Sequence, residues 1–414
     1  MRILFVTHAY YPSRGGVQWR TQALAERFAA QAGDEVTVFT TVARSCQLFI
    51  DPRQPRLPVG VECLNGVYVR RFDVFNRLTW LRLNAARVAY KLHLPGQDWL
   101  RGLYFGPLAP GLRAAIAQHP ADVIMASSFP MIHMYDALAA GQRSRRPVIL
   151  SGTVHPADPW SYDLPRMYRA IARAQAYVAH SSYEADYLTP RCPGARIHLI
   201  GDGVDAAALY NPQAGRNFRH RQTWGEQDIV IVMVGRITSY KRFDVMLDAM
   251  PAIWRELPSA RLLLAGAGGD SPEASALQRR ISTLPHPDRI VWVTDFAEEE
   301  KPAIFSAADL VVHLSEREAF GIVIIEAWAA GKPVVASRAG AAPSIITDGV
   351  DGLLVTYGCA SELAQAVVTL GKSAALRARL GQAGQRKSRS QYDWSVIASR
   401  YRSLFAELAA SDLK

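Results

Sequence analysis

The sequence predicts an α/β protein built from two doubly wound parallel-sheet domains. Short runs rich in Val and Ile alternate with longer amphipathic stretches, as expected when helices cover both faces of a parallel sheet, and the pattern restarts after a polar interval. A chain of 414 residues is long for one α/β unit and fits two domains of roughly 200 residues each.

The first series of strand-like runs covers 3–7, 36–41, 123–127, 148–153, 177–180 and 197–200. A second series covers 229–235, 262–265, 290–293, 310–314, 334–336 and 353–355. The polar stretch separating them places the boundary between 205 and 228, giving an N-terminal domain over 1–205 and a C-terminal domain over 206–390. From 361 to 413 strand signals are absent. Trp394, Ile397, Tyr401, Phe405 and Leu408 recur at three or four residues, so 391–414 is expected as a helix with one apolar face that packs back on the first domain.

Hydrophobic residues make up 49% of the chain and charged residues 20%, enough to bury large cores and too apolar for extensive disorder. The net charge of +10 favours anionic partners: nucleic acid, anionic lipid or phosphorylated substrates. Cys46, Cys63, Cys192 and Cys359 show no zinc or redox spacing and read as reduced thiols of a cytoplasmic protein. The apolar start at 3–6 is too short for a signal-peptide core, and no run approaches the ~20 apolar residues of a membrane span.

In an open parallel sheet, ligands bind beyond the carboxyl ends of the strands, so the loops after strands carry the functional expectations. After the first strand, Pro12-Ser13-Arg14-Gly15-Gly16 opens an amphipathic helix. Adjacent glycines there allow close approach of a phosphate or sugar to backbone amides, or simply make a tight loop. At the head of the second domain, Gly235-Arg236 precedes Lys241-Arg242 at a helix start, where cations oppose the helix dipole. A bound anion removes that conflict, so Arg236 and Lys241 are candidates to flank a diphosphate; solvated surface cations are the alternative. Gly266-Ala267-Gly268-Gly269 lacks the full dinucleotide spacing and reads as a glycine turn beside the ligand.

The most informative segment is Glu318-Ala319-Phe320-Gly321-Ile322-Val323-Ile324-Ile325-Glu326, followed by Gly331-Lys332-Pro333. Phe320-Gly321 opens a helix and Gly331 ends it. A wholly helical interval from Glu318 to Glu326 would measure about 12 Å. That suits a nucleotide-sugar: Glu318 accepts hydrogen bonds from sugar hydroxyls, Glu326 from a ribose diol, and the amides of Gly321 and Ile322 face the diphosphate. Two exposed helix glutamates would not explain why Glu326 interrupts an apolar run.

Taken in order and spacing, these motifs resemble the retaining glycosyltransferases of family 4 over almost the whole chain. The resemblance includes Gly15-Gly16, Gly203-Val204-Asp205, Gly235-Arg236 with Lys241, the E-x7-E pair Glu318 and Glu326, Gly331-Lys332-Pro333-Val334-Val335-Ala336-Ser337, and Asp348-Gly349-Val350-Asp351-Gly352-Leu353-Leu354. It implies the GT-B fold, two Rossmann-like doubly wound domains facing a central cleft, with the donor on the second domain and most of the acceptor on the first. The family's diphosphate-binding pair maps to Arg236 and Lys241, its ribose glutamate to Glu326, its donor-sugar glutamate to Glu318, and its active-site histidine to His155. Phe320, Gly321 and Ile322 complete the implied donor site. The chain departs from the family pattern at Pro156, at Ala319, and in Gly340-Ala341-Ala342-Pro343-Ser344.

No D-x-D pair occurs, so no metal or other cofactor is expected beyond a nucleoside-diphosphate-sugar as co-substrate; Arg236 and Lys241 take the place of the metal. The resemblance further implies retention of anomeric configuration by front-face attack. The acceptor is an unidentified hydroxyl. Rival readings are a nucleotide-sugar epimerase of the same architecture and a basic nucleic-acid-binding protein; the second leaves Glu318 and Glu326 unexplained, and no nucleic-acid partner is expected.

Residues 66–113 hold eight Arg or Lys and two acidic residues among many aromatics. Part of this stretch, 78–92, reads either as a basic amphipathic helix lying peripherally on the cytoplasmic face of an anionic membrane, or as a helix that packs its aromatics inward and exposes only its cations.

Overall fold

In the computed structural model, residues 1–13, 15–30 and 33–411 are described. Arg14 of the first glycine loop and 412–414 of the tail lie outside the described residues. The chain forms two units: the first comprises Met1–Gly201 together with the tail from Ile397, and the second comprises Asp202–Val396.

The first unit contains β1 (Arg2–Thr7), β2 (Glu35–Thr41), β3 (Gly60–Leu64), β4 (Val67–Phe72), β5 (Val123–Ser127), β6 (Val148–Ser151), β7 (Ala176–Ala179) and β8 (Ile197–Leu199). They form one sheet in the order β3-β4-β2-β1-β5-β6-β7-β8. All pairings are parallel except β3 with β4. In β1 the five residues from Ile3 to Thr7 are buried, because helices cover both faces of a central parallel strand. Strands β3 and β4 were not anticipated. Their residues alternate: Val67 and Val69 point into the core while Tyr68 and Arg70 point out, and β3 is exposed along nearly its whole length. An edge hairpin buried on one face carries no continuous apolar run.

The second unit contains β9 (Ile229–Val234), β10 (Ala260–Gly266), β11 (Ile290–Thr294), β12 (Leu310–His313), β13 (Val334–Ser337) and β14 (Gly352–Val355), ordered β11-β10-β9-β12-β13-β14. Counted from its own first strand this is the order 3-2-1-4-5-6, the doubly wound arrangement that binds ligands where the order reverses. Its core gathers strand residues such as Ile231, Leu262 and Val312 against Leu247 and Ile253 of the helix Phe243–Glu256.

The tail is helical as expected: Ala360–Lys372, Ala374–Lys387, a π turn at Ser388–Tyr392, and Trp394–Ser411. From Ile397 onward it belongs to the first unit. Ile397, Tyr401, Phe405 and Leu408 are buried, and the Phe405 ring lies 6.2 Å from Phe5 and 5.6 Å from Phe28. Arg402 secures the same helix by an ion pair with Asp34 at 3.0 Å.

The segment 66–113 supplies β4 and the helices Thr79–Lys91 and Gln97–Phe105. Its aromatics divide. Phe72 joins the core, and Tyr90, Tyr104 and Phe105 cluster round Trp160, whereas Trp80 and Trp99 remain exposed. The expectation that the helix would expose only its cations is therefore corrected: its buried face is formed by Thr79, Ala86 and Ala89, and Trp80, Leu81 and Val88 stand on the exposed side.

If the tail is a true part of the first core, Phe405→Ala will destabilise the protein by about 3–5 kcal/mol, the usual cost of emptying a buried phenylalanine site. Urea unfolding followed by tryptophan fluorescence measures this, and an unmoved midpoint would contradict the packing described.

Candidate active site

In each unit the sheet order reverses at one place: between β1 and β5 in the first, and between β9 and β12 in the second. The sequence-predicted residues gather in the loops leaving these strands. Gly15 and Gly16 follow β1, Arg236 and Lys241 follow β9, and Glu318, Phe320, Gly321 and Ile322 follow β12, while His155 follows β6.

In the second unit Lys241 forms an ion pair with Glu318, with only 14% and 16% of the two side chains exposed. The loop after β9 thereby reaches the loop after β12, and the Glu316 amide adds a bond to the Tyr240 carbonyl at 3.3 Å. His313, the last residue of β12, places Nε2 at 3.6 Å from the same Glu318 carboxylate. Burial pushes the His313 pKa down to about 4, against the pull of Glu318, so the imidazole is neutral at pH 7 and Lys241 supplies the balancing charge. Arg242 turns instead to Asp244 at 3.0 Å and stacks over Tyr357 at 5.1 Å. Arg236 is exposed and donates to the Tyr240 hydroxyl at 2.9 Å. The electrostatic conflict inferred for cations at this helix start is thus answered within the chain, by the carboxylates of Glu318 and Asp244.

Glu318 sits in the loop, and the helix runs only from Ile322 to Ala329. The interval between the two glutamates is therefore not wholly helical: Gly321, at φ 99°, turns the chain, and the helical rise from Ile322 to Glu326 is only about 6 Å. Gly321 is the N-cap, so the amides that follow it belong to a first turn that lacks intrahelical acceptors. Phe320 is buried with its ring 5.5 Å from Tyr392, which anchors the loop and keeps this side chain from solvent. Glu326 is also buried and pairs with Lys301 at 2.7 Å, which excludes a pair of exposed glutamates. Lys301 also reaches Glu298 at 2.8 Å; burial opposes its charge, but the two carboxylates raise its pKa overall. Sequence reading missed Lys301, which follows three glutamates in what looks like a solvated charge run, and His313, hidden in an apolar strand.

Main chain carries much of this geometry. A Cβ on Gly266 would collide with the carbonyl of Gly235, so the loops after β9 and β10 meet backbone to backbone. Gly340, at φ 55°, leaves only 2.7 Å between a hypothetical Cβ and the Glu316 carbonyl. Next to it, Ala341 donates its amide to the Glu318 carbonyl at 3.1 Å. The Gly340-Ala341 stretch therefore supports the Glu318 loop from below.

In the first unit Gly15 caps the helix Gly16–Ala29, and both glycines are exposed. A Cβ on Gly15 would meet Gln18 Oε1 at 2.5 Å, and the Gln18 amide donates to His8 Nε2 at 3.0 Å. His133 lies 5.9 Å from His8, ring to ring, and donates from Nε2 to the Ser127 carbonyl at 2.7 Å. Burial pushes His8 to about 3 and His133 to about 4, so both are neutral. His155 is half-buried, edge-on to Tyr162 at 5.2 Å. Behind it, Glu184 accepts from the Val154 amide at 2.8 Å, the His180 amide at 2.8 Å and the Tyr177 hydroxyl at 2.5 Å. Buried Arg20 donates to His180 Nδ1 at 3.2 Å, leaving Nε2 to donate to Ser151 Oγ at 2.8 Å. Partners 160 residues apart in sequence gave no motif to read.

Two doubly wound units, the second carrying an ion pair at its switch point, define a GT-B protein. The model described as Glycosyltransferase Family 4 matches residues 14–208, and that described as Glycosyl transferases group 1 matches residues 216–387. The chain belongs to the family 4 glycosyltransferases. It is 26% identical to the GDP-mannose-dependent alpha-(1-6)-phosphatidylinositol monomannoside mannosyltransferase of Mycolicibacterium smegmatis, covering 98% of each chain. Against the mannosylfructose-phosphate synthase of Agrobacterium fabrum identity is 30%, over 49% of this chain and 46% of that one, so the match spans about half the length of that relative. Among solved structures, Anabaena HepE in complex with UDP and glucose superposes with a TM-score of 0.74 at 21% identity, covering 98% of this chain and 100% of that one.

Burial pushes the Glu184 carboxyl from its ordinary 4.5 to about 7, despite the amides, hydroxyl and Arg20 that favour the anion. A folded pKa above the unfolded one means that stability is fully present below pH 4.5 and is lost as pH rises through about 7. Glu184→Gln will therefore flatten the stability profile across that window. Urea midpoints at several pH values measure the slope, and identical slopes would contradict this placement.

Proposed function

We propose that this protein transfers a sugar from a nucleoside-diphosphate-sugar to a hydroxyl acceptor with retention of anomeric configuration and without a metal. The observation that carries the reading is the Lys241–Glu318 pair, which joins the β9 and β12 loops at the switch point, with Glu326 paired to Lys301 beyond it. A carboxylate already held by a lysine is oriented for sugar hydroxyls, and the same lysine is within reach of a phosphate that arrives beside it.

In this reading Glu318 grips the donor sugar and Glu326 the ribose, while Arg236, Lys241 and the amides after Gly321 surround the diphosphate. The bond from the anomeric carbon to the diphosphate oxygen breaks as the bond to the acceptor oxygen forms on the same face. The departing diphosphate takes the acceptor proton, and Arg236 and Lys241 stabilise its growing charge. Gly15, Gly16 and His155 of the first unit are carried over from the family resemblance, His155 with the role of a hydrogen-bond donor. No protein nucleophile is assigned. The Anabaena structure holds UDP and glucose and the mycobacterial relative is GDP-mannose-dependent, so the base and sugar of this chain's donor are to be found by screening. The reading places the enzyme in the cytoplasm.

UDP or GDP will raise the melting temperature, whereas oligonucleotides will not. Glu326→Ala will weaken nucleotide binding, and Arg236→Ala or Lys241→Ala will lower kcat by roughly 10²–10³, the scale of losing a group that stabilises transition-state charge. Thermal melting reads the first, and a panel of nucleotide-sugars assayed for hydrolysis and transfer, with and without EDTA, reads the kinetics. Unchanged kinetics in the three variants would refute the site, and loss of activity with EDTA would refute metal independence.

A further inference from the structure

The helix Thr79–Lys91 presents an unusual outward face. Trp80, Leu81, Arg87, Val88, Lys91 and Leu92 recur at helical spacing along it, and all are exposed, Trp80 by 77% and Leu92 by 64%. The opposite face is occupied by buried Ala86 and Ala89, so the helix is apolar on its solvent side as well as its core side. The helix Gln97–Phe105 packs against it and also against the helix Pro165–Arg173. It adds Trp99, 54% exposed, whose ring lies beneath the Arg166 guanidinium at 5.3 Å. Beyond Arg166 opens a cavity of about 400 Å³ lined by Arg113, Arg166, Arg169 and Arg173. The acids nearby are Asp98, 3.5 Å from Arg169, and half-buried Asp136.

We propose that this face docks on the surface of a bilayer containing anionic phospholipid. Trp80, Leu81, Val88 and Leu92 enter the boundary between headgroups and acyl chains, and the arginines of the cavity engage lipid phosphates. Charge complementarity selects this occupant. The cores of protein–protein interfaces are depleted of charge, whereas here Arg87 and Lys91 are interleaved with the apolar side chains, and four arginines continue the surface beside Trp99. Exposed tryptophans beside basic residues match the headgroup region, which is apolar on one side and wet and anionic on the other. Among the described residues no helix is long and apolar enough to cross a membrane, so contact of this kind is made from the surface.

The full chain should co-sediment with vesicles of phosphatidylcholine mixed with phosphatidylglycerol at low salt, should leave vesicles of phosphatidylcholine alone in solution, and should remain bound in excess inorganic phosphate. Each basic residue near an anionic surface contributes about fivefold to partitioning, so Arg87→Gln with Lys91→Gln should weaken binding roughly 25-fold. Trp80→Ser with Leu81→Ser, and separately Arg169→Gln with Arg173→Gln, should weaken it as well. All six side chains are exposed, so unchanged melting temperatures will show that the variants fold. Absence of sedimentation with phosphatidylglycerol vesicles, equal binding by all variants, or a protein dimer that Trp80→Ser with Leu81→Ser dissociates in the absence of vesicle binding would each overturn the proposal.

Discussion

The ion pair between Lys241 and Glu318 is the constraint on which the second unit's site depends. Its partners are 77 residues apart and leave the two strands, β9 and β12, that flank the reversal of the sheet. Parallel strands open a crevice there, and the pair fixes what lines it. Neutral His313 beneath the carboxylate keeps the local charge to one anion and one cation. Removing either partner leaves the other half-desolvated, which is why the pair specifies loop position more than it adds stability.

A different solution operates in the first unit. The His155 loop is held from behind by a buried set of hydrogen bonds, Glu184 to the Val154 amide and Arg20 through His180 to Ser151, with little direct ion pairing. Such networks are costly when half-satisfied and rigid when complete. Glu184 also makes this network sensitive to pH, since burial raises its carboxyl to about 7. One site is set by attraction between opposite charges and the other by hydrogen bonds that link distant segments.

The central strands were legible because parallel strands buried on both faces demand continuous Val and Ile runs, as in Ile229–Val234. The edge pair β3 and β4 was not, since a half-exposed strand such as Val67–Phe72 mixes Val with Arg and Tyr. In the site, Glu318 and Glu326 stood out because a carboxylate inside an apolar helix needs a reason. Lys301, His313 and the Arg20–His180–Glu184 set did not stand out. Their meaning comes from partners supplied by distant segments, and local spacing carries no trace of that.

Backbone packing among the loops has an evolutionary consequence. Where Gly266 rests on the Gly235 carbonyl and Gly340 on that of Glu316, geometry is transmitted through atoms common to every amino acid. Substitution elsewhere can then proceed far without moving the frame. The few positions that must lack a side chain conserve shape, which frees the remaining loop positions to diversify in what they recognise.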